Sequence, residues 1–446
     1  MLKNQHYLSN RTLLIVIAFV VIVIQVIDNS AGQLWTNSLS DRMSPYYLLF
    51  FSILIIISIS IHIFFLYTAR KIIYTIKKSR SPFATKSSTI YTISQILLII
   101  FLTYLFIEQL TNEKYPILVL KTIVGLSFMV PFFILILLSF TFLKSYKYTK
   151  SKTLLIYGLA VIALSAHMLT TFLYIEAHLA NKPEYISPTR NPWTFFYITE
   201  LHQKLYSFYS ASETVAFIAI WLASLLFTNR YTKKIDRTKH LIILTIPLIL
   251  FILLYHSPIL LDKTGITNMI QDNFLLYDYF HNFGFNAAKI SAGVLFGIYF
   301  FMLTRIVTNK ELKYYLIVSG VGLMIIFSTS VSVIMILVPY PSWTIISISF
   351  ILSATYLTMI GLDSATFNIT KDITIRRFLN MYENQLPLFK GLSSAENLST
   401  FEKKAEILSK KIYENMESET IFMDKTELED VKEYVKKVIK EKEKRI

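Results

Sequence analysis

Residues 46–68 read YYLLFFSILIIISISIHIFFLYT and contain no Asp, Glu, Lys or Arg. An α-helix rises about 1.5 Å per residue, so roughly 20 residues cross a hydrocarbon core about 30 Å thick. This stretch therefore predicts a membrane-spanning helix. The 446-residue chain contains ten such stretches. The predicted spans are 12–28, 46–68, 90–110, 117–143, 153–176, 207–228, 241–259, 286–307, 314–337 and 343–364.

The spans predict an all-α fold, a polytopic transmembrane helical bundle of about ten helices over residues 1–365. The seventh span is the least regular, because it is short and includes Pro247 and Pro258. Isolated prolines are tolerated in membrane helices when neighbouring groups satisfy the freed carbonyls. The first span is followed by no small-residue cleavage site, so it is interpreted as a retained helix.

Residues 366–446 are predicted to form a cytoplasmic linker and a small amphipathic helical tail. Apolar residues recur there at spacings of three and four, which is typical of one helix face. Phe401, Leu408 and Ile412 lie on the first such face, and Leu428 and Val435 lie on the second. Two short helices bury little surface alone, so we expect them to pack on each other or on a cytoplasmic protein partner.

The distribution of Lys and Arg predicts the orientation. Loops on one side of the predicted spans carry 20 of these residues near the membrane, whereas those on the other side carry 8. Basic residues favour the cytoplasmic side. The chain is therefore predicted to be a multi-pass plasma-membrane protein with both termini in the cytoplasm.

The composition excludes several classes of protein. The formal net charge of +15 arises mainly from short loops, where an anionic inner leaflet would attract it, so no nucleic-acid partner is predicted. The chain has no cysteine, which rules out disulfides and thiolate sites. It has only 11 glycines, so close helix packing is expected to depend on Ser, Thr and Ala.

No phosphate-binding loop, HExxH or GxSxG sequence lies at a plausible position. We therefore predict that the chain is not an enzyme and that it has no resident cofactor.

A weak divalent-cation site is one hypothesis for the predicted outer face. Imidazole and carboxylate groups are suitable ligands for zinc and copper. The alternative is that these side chains are solvated and far apart, because none shows a tight ligand spacing. The candidate ligands are Glu176, His178, Glu200, His202, Asp278 and His281.

Four ionisable residues fall inside the predicted spans or at their ends: His62, His167, Glu213 and Lys289. Ionisable residues within a membrane are rare and often functional. For each histidine, the alternative is a neutral ring hydrogen-bonded to a Ser or Thr of a neighbouring helix. Glu213 is expected to face a wet cavity, to pair with a base such as Lys289, or to be protonated.

Glu108 and Lys121 lie almost symmetrically about the short turn at Lys114. They are predicted to form a structural ion pair between adjacent antiparallel helices.

The second half of the chain, over roughly residues 205–446, resembles an uncharacterised multi-pass membrane protein family of ammonia-oxidising archaea. Asp363 departs from the pattern, which is uncharged at this position. The resemblance implies an archaeal plasma-membrane protein with a two-part organisation, and it implies no activity. It is carried by Gly293–Phe300 (GVLFGIYF), Val338–Phe350 (VPYPSWTIISISF), Ile360–Arg377 (IGLDSATFNITKDITIRR) and Glu429–Ile439 (EDVKEYVKKVI).

Two functions are compatible with this organisation. The first is a receptor or scaffold that couples an outer polar surface to the cytoplasmic tail. The second is a secondary transporter, because ten spans allow an inverted repeat of five and five helices. The scarcity of glycine argues against the broken helices that many transporters contain.

The orientation is testable with reporter fusions. Reporters fused after residues 40, 190 and 270 are expected to read outside, and those fused after 80, 148, 235 and 380 are expected to read inside, because the basic loops alternate in this way. An inside signal at 190 would contradict the predicted arrangement of the fifth and sixth spans.

Overall fold

The computed structural model of the chain is almost entirely helical. It describes residues 2–37, 45–77, 82–150, 152–180, 184–186, 200–229, 245–246, 248–249, 251–252, 284–306, 310–334 and 342–381. The long helices in these ranges are α1 (Leu2–Asn37), α2 (Pro45–Lys77), α3 (Pro82–Asn112), α4 (Ile117–Thr149), α5 (Lys152–Leu179), α6 (Glu200–Asn229), α7 (Gly284–Ile306), α8 (Lys310–Ile334) and α9 (Ile345–Met381).

Two short strands join the connection between α3 and α4 to the segment after α5. They are β1 (Tyr115–Pro116) and β2 (Tyr185–Ile186), which pair antiparallel. The amide of Ile117 also donates to the carbonyl of Glu184 at 2.8 Å. The ammonium of Lys114 lies 4.9 Å from the ring centre of Tyr185, a cation–π contact that holds the two segments together.

Eight of these helices contain a run that is long and apolar enough to cross a membrane, which is consistent with an integral multi-pass membrane protein. The eight runs correspond to eight of the ten predicted spans, seven of them to within four residues at each end, whereas the run in α8 stops at Thr329, where the described side chains end, before the predicted end at 337. They are Thr12–Asn29, Leu48–Lys71, Ser87–Asn112, Ile117–Lys147, Lys152–Leu179, Gln203–Leu225, Leu312–Thr329 and Ile345–Thr366.

The other two predicted spans are not established. The span predicted at 286–307 corresponds to α7, in which the described side chains give an apolar run over Gly293–Arg305. Most of the span predicted at 241–259 lies outside the described residues. The structure therefore supports eight spans and leaves the count of ten as a prediction.

Helix α9 is the centre of the bundle. Every residue from 342 to 362 is buried, and α9 packs against α1, α2, α3, α4 and α8. By contrast, only 33–50% of the apolar runs of α1 to α6 is buried. Their remaining faces present Leu, Ile, Val and Phe outward, as expected for helices that contact lipid.

Close contact between α8 and α9 depends on two glycines. A Cβ added at Gly322 would lie 2.5 Å from the Ala354 carbonyl oxygen. A Cβ added at Gly361 would lie 2.6 Å from the backbone nitrogen of Ser319. The expectation that close packing would depend only on Ser, Thr and Ala is therefore wrong for this contact, because Gly322 and Gly361 stand where the two backbones approach closely.

Helix α9 also passes through the predicted domain boundary at 365/366 without a break, since it continues to Met381. The rest of the predicted tail, residues 382–446, lies outside the described residues.

We expect Gly322→Ala and Gly361→Ala to destabilise the protein, each by about 1–3 kcal/mol, because the added methyl group would meet backbone atoms that must move apart. The measurement is the midpoint of thermal unfolding in detergent. Gly125→Ala is the matched control, since a Cβ there would meet only the Phe172 ring, at 4.0 Å. A control that is as damaging as the two test variants would contradict this account of the α8–α9 contact.

Candidate functional site

Hydroxyl groups on one face of α9 meet polar side chains from α2 and α3. Ser349, Ser353 and Tyr356 succeed one another at spacings of four and three residues, so these three positions lie on the same side of α9, and Ser342 lies three residues before the helix begins. The facing side chains are His62 from α2 and Tyr91, Gln95 and Gln109 from α3. We call these eight residues the polar seam.

His62 is the centre of the polar seam and is fully buried. Its Nδ1 lies 2.8 Å from Nε2 of Gln95, and its Nε2 lies 2.8 Å from Oγ of Ser349. Because the Gln95 amide donates to Nδ1, the imidazole proton is on Nε2 and is donated to Ser349. The ring also stacks on Phe350 at a centroid distance of 4.5 Å. His62 thus hydrogen-bonds to a serine of a neighbouring helix, which is the alternative that the sequence left open for each histidine.

The network continues from Gln95 to Tyr91. Oγ of Ser353 donates to Oε1 of Gln95 at 3.1 Å and lies 3.2 Å from the Tyr91 hydroxyl. The rings of Tyr91 and Tyr356 are stacked, with centroids 3.9 Å apart and planes 2° from parallel. Together with His62 and Ser349, six side chains from three helices therefore fix the position of α9 near mid-depth.

A second polar contact lies near the start of α9. Nε2 of Gln109 donates to Oγ of Ser342 at 2.6 Å. Leu98, Leu102 and Leu105 of α3, all fully buried, lie between this contact and Gln95 along the helix. The polar seam consequently has two layers separated by an apolar one, so it can fix helix positions but does not form a continuous proton path.

Asp28 of α1 caps the N-terminus of α9 from outside that helix. Its Oδ1 accepts from the Thr344 amide at 2.9 Å, and its Oδ2 accepts from the amide of Ser347 at 3.0 Å and from Oγ of Ser347 at 2.6 Å. The first amides of a helix have no partner within the helix and carry partial positive charge. The Asp28 carboxylate is fully buried. It accepts hydrogen bonds from these amides, and its negative charge offsets their partial positive charge.

Gln25 attaches α1 to α8 one turn before Asp28. Its Nε2 donates to Oγ1 of Thr329 at 2.6 Å, and its Oε1 accepts from Oγ of Ser328. Both hydroxyls also contact the Ile325 carbonyl. Within one helical turn, α1 thus binds both helices at the centre of the bundle.

A separate polar group joins α5 and α6. Nδ1 of His167 lies 3.2 Å from Oγ of Ser212, and Oγ1 of Thr170 lies 2.6 Å from the same atom. The ring of Tyr174 stacks on Tyr209, with centroids 5.4 Å apart. His167 therefore also hydrogen-bonds to a serine of a neighbouring helix.

Glu213 of α6 is fully buried, one residue after Ser212 and one turn after Tyr209. The structure places this carboxyl group in the middle of the membrane-spanning run Gln203–Leu225. The side chain of Lys289, its predicted partner, is outside the described residues.

The predicted ion pair between Glu108 and Lys121 does not form. Glu108 accepts hydrogen bonds from Tyr104 at 2.9 Å and from Asn112 at 2.8 Å, both on its own helix. Nζ of Lys121 instead lies 3.9 Å from Oε2 of Glu176 on α5. Similar depth in the membrane is not enough for a contact, because each side chain also needs to lie on the facing side of its helix.

The described residues contain no group of three or more His, Asp or Glu side chains that could hold a metal ion. Glu176 pairs with Lys121, and Glu200 lies 2.6 Å from Lys204 of the next turn. His178 is the penultimate residue of α5 and is partly buried. The other three predicted ligands cannot be placed, since the His202 side chain, Asp278 and His281 lie outside the described residues.

Sequence reasoning missed Gln25, Asp28, Gln95 and Gln109. Each is an amide or carboxylate within or at the end of a predicted span. Such groups are costly in hydrocarbon unless another helix satisfies them. That signal was present in the sequence, although it does not identify the partner.

Comparison with protein-family models, with curated proteins and with solved structures gives no match. The resemblance to an archaeal membrane family stays a prediction.

We expect Asp28→Ala to lower the free energy of unfolding by about 2–4 kcal/mol, because it leaves two buried amides and a hydroxyl without their acceptor. Reversible unfolding in mixed micelles, followed by circular dichroism, measures the change. Lys204→Ala is the control, since both members of the Lys204–Glu200 pair are exposed and such pairs add little. Equal stability of the two variants would show that the cap is dispensable.

Proposed function

We propose that this chain is a membrane receptor or scaffold in which α9 transmits a change at one end of the bundle to the cytoplasmic tail at the other. The observation that carries this proposal is the continuity of α9. Its 37 residues form one helix from the Asp28 cap to Met381. At about 1.5 Å per residue the helix is roughly 55 Å long, some 25 Å longer than a typical hydrocarbon core.

The contacts around α9 support a mechanical role. Its first turn is attached to α1 through Asp28, and the preceding Ser342 is attached to α3 through Gln109. Its middle is attached to α2 and α3 through His62 and Gln95. Hydrogen bonds in a low-dielectric interior are directional and costly to break, so a displacement of α1 or α3 would move α9 as a unit.

The turn between α3 and α4 provides a surface for the signal, because Gln109 near the end of α3 donates to Ser342 just before α9. Strand β1 in this turn pairs with β2 after α5, and both belong to the predicted outer face. In the proposed orientation both termini are cytoplasmic and the basic loops face the anionic inner leaflet of the plasma membrane. The far end of α9 then leads into residues 382–446, whose predicted helices would engage a cytoplasmic protein. No enzymatic step is part of this proposal.

Secondary transport is the alternative function. It is favoured by Glu213 and His167, which both lie near the middle of their membrane-spanning runs, on adjacent helices. Buried carboxyl and imidazole groups commonly bind coupling protons or substrates in transporters. The unbroken α9 favours the transducer instead, because transporter sites are typically built on interrupted helices.

The transducer proposal is testable with two spin labels. The chain has no cysteine, so Lys150→Cys after α4 and Asn380→Cys near the end of α9 can be labelled without background. We expect Asp28→Asn, which weakens the cap, to shift or broaden the distance distribution between the labels by roughly 2 Å or more, because a transmitting helix moves as a body. Lys204→Ala should leave the distribution unchanged.

An unchanged distribution in Asp28→Asn, together with faster hydrogen exchange at 345–352, would overturn the proposal, since the perturbation would then end near its origin. Transport is tested separately in proteoliposomes that enclose a pH-sensitive dye. A solute-driven proton flux that is lost in Glu213→Gln would favour the transporter.

A further inference from the structure

The connection between α4 and α5 carries four lysines and no acidic residue. Lys144 and Lys147 lie in the last two turns of α4, Lys150 follows that helix, and Lys152 begins α5. All four residues are exposed, and we call them the lysine turn. Residues 114–175, which cover α4 and most of α5, contain no Asp or Glu. The charge of the lysine turn is therefore not balanced by a nearby part of the same helical hairpin.

The backbone holds the lysine turn in one compact shape. Only residues 150 and 151 separate the two helices. Lys150 has the left-handed conformation, with φ of 54°, and its amide donates to the Tyr146 carbonyl at 2.8 Å. This bond closes the last turn of α4, as a left-handed residue commonly does at the end of a helix. Lys144 and Lys147 are three residues apart, so they are neighbours on one side of α4.

The lengths of the two helices place the lysine turn outside the hydrocarbon core. Helix α4 has 33 residues and α5 has 28, so they are roughly 50 Å and 42 Å long, whereas the core is about 30 Å thick. The turn lies at the end of α4 opposite the β1–β2 pair. The hairpin is longer than the core, so the turn reaches the headgroup region, where lysine stems lie along apolar surface and the ammonium groups reach polar partners.

We propose that the lysine turn binds the phosphates of anionic phospholipids in the inner leaflet, in preference to zwitterionic phospholipids. Four or more basic residues on the cytoplasmic side of a membrane helix are typical of such a site, and lysine binds phosphate as a point charge. Bound lipid would fix the depth of α4, the helix that packs against α9. This inference rests on the orientation in the proposed function, but it does not require that α9 transmits a signal.

An acidic part of the predicted cytoplasmic tail is the rival occupant. Residues 414–430 contain seven Asp or Glu residues and one Lys. Lipid headgroups are favoured because they surround the lysine turn at all times. The tail would instead close a loop of the 32 residues from 382 to 413, and loop closure has an entropic cost.

The test is native mass spectrometry of the full chain in detergent that contains equal amounts of phosphatidylglycerol and phosphatidylcholine. Each lysine near an anionic surface contributes about fivefold in affinity, so two engaged lysines predict a roughly 25-fold preference for bound phosphatidylglycerol. The quadruple variant Lys144→Gln/Lys147→Gln/Lys150→Gln/Lys152→Gln should lose this preference. Equal binding of the two lipids by the wild-type protein would overturn the proposal.

The matched control is Arg70→Gln/Lys71→Gln/Arg305→Gln/Lys313→Gln. It removes the same number of charges from three other helices on the same predicted side, and it should keep the preference. A loss as large as that in the quadruple variant would show that total charge, and not the lysine turn, selects the lipid, which would overturn the assignment.

Two further variants separate lost charge from lost structure. Replacement of the four lysines of the turn by arginine retains the charge and should retain the preference. The double variant Lys144→Gln/Lys147→Gln should lose an intermediate amount, and it provides a test if the quadruple variant does not fold. An unchanged preference in the double and the quadruple variants would contradict the proposal.

Hydrogen exchange in nanodiscs of phosphatidylcholine detects the rival occupant. If the tail occupies the lysine turn, the quadruple variant should exchange faster than the wild-type protein at 414–430 and should keep its lipid preference, which would overturn the lipid assignment. The transducer proposal fails or succeeds on the spin-label distances in Asp28→Asn, so the failure of one proposal is distinguishable from the failure of the other.

Discussion

A helix that is enclosed on every side has neither water nor lipid headgroups to satisfy its polar side chains. Helix α9 is in this position, yet it carries serine and threonine along its whole buried length. Most buried hydroxyls bond to their own backbone or to a neighbouring helix, although Oγ1 of Thr355 has no hydrogen-bond partner. Thr358 uses the Ala354 carbonyl, whereas Ser347 and Ser353 depend on Asp28 and Gln95. The composition of α9 thus determines which polar residues its neighbours must supply.

The sides of α9 are held by different physical interactions. Towards α2 and α3 the contacts are hydrogen bonds and stacked rings. Towards α8 they are close van der Waals contacts that a glycine hydrogen permits and a methyl group would prevent, as at Gly322 and Gly361. Lipid tails are as apolar as leucine, so burial alone gives helices little reason to associate. Hydrogen bonds on one side and close packing on the other provide the specificity instead.

Features of this structure that depend on neighbouring residues in the sequence were predictable, whereas contacts between residues far apart in the chain were not. Spans were predictable because length and apolar composition are local properties, and eight predicted spans have matching helices. The cap on α9 was not predictable, because Asp28 and Thr344 are 316 residues apart in the chain. For Glu108 and Lys121 the sequence indicated the depth but not the facing side, and Lys121 contacts Glu176 instead. The number of glycines was likewise less informative than their positions in α8 and α9.

The two buried carboxyl residues differ in how the fold accommodates them. Asp28 lies at the end of its span, where the first amides of α9 are free to donate, so its charge is part of the architecture. Glu213 lies in the middle of α6, where the backbone amides are already used within the helix. No helix terminus within α6 is near enough to balance a charge there, since the dipole effect is confined to the first and last turns. Replacement of Asp28 would therefore disturb the contact between α1 and α9, whereas replacement of Glu213 would act locally between α5 and α6.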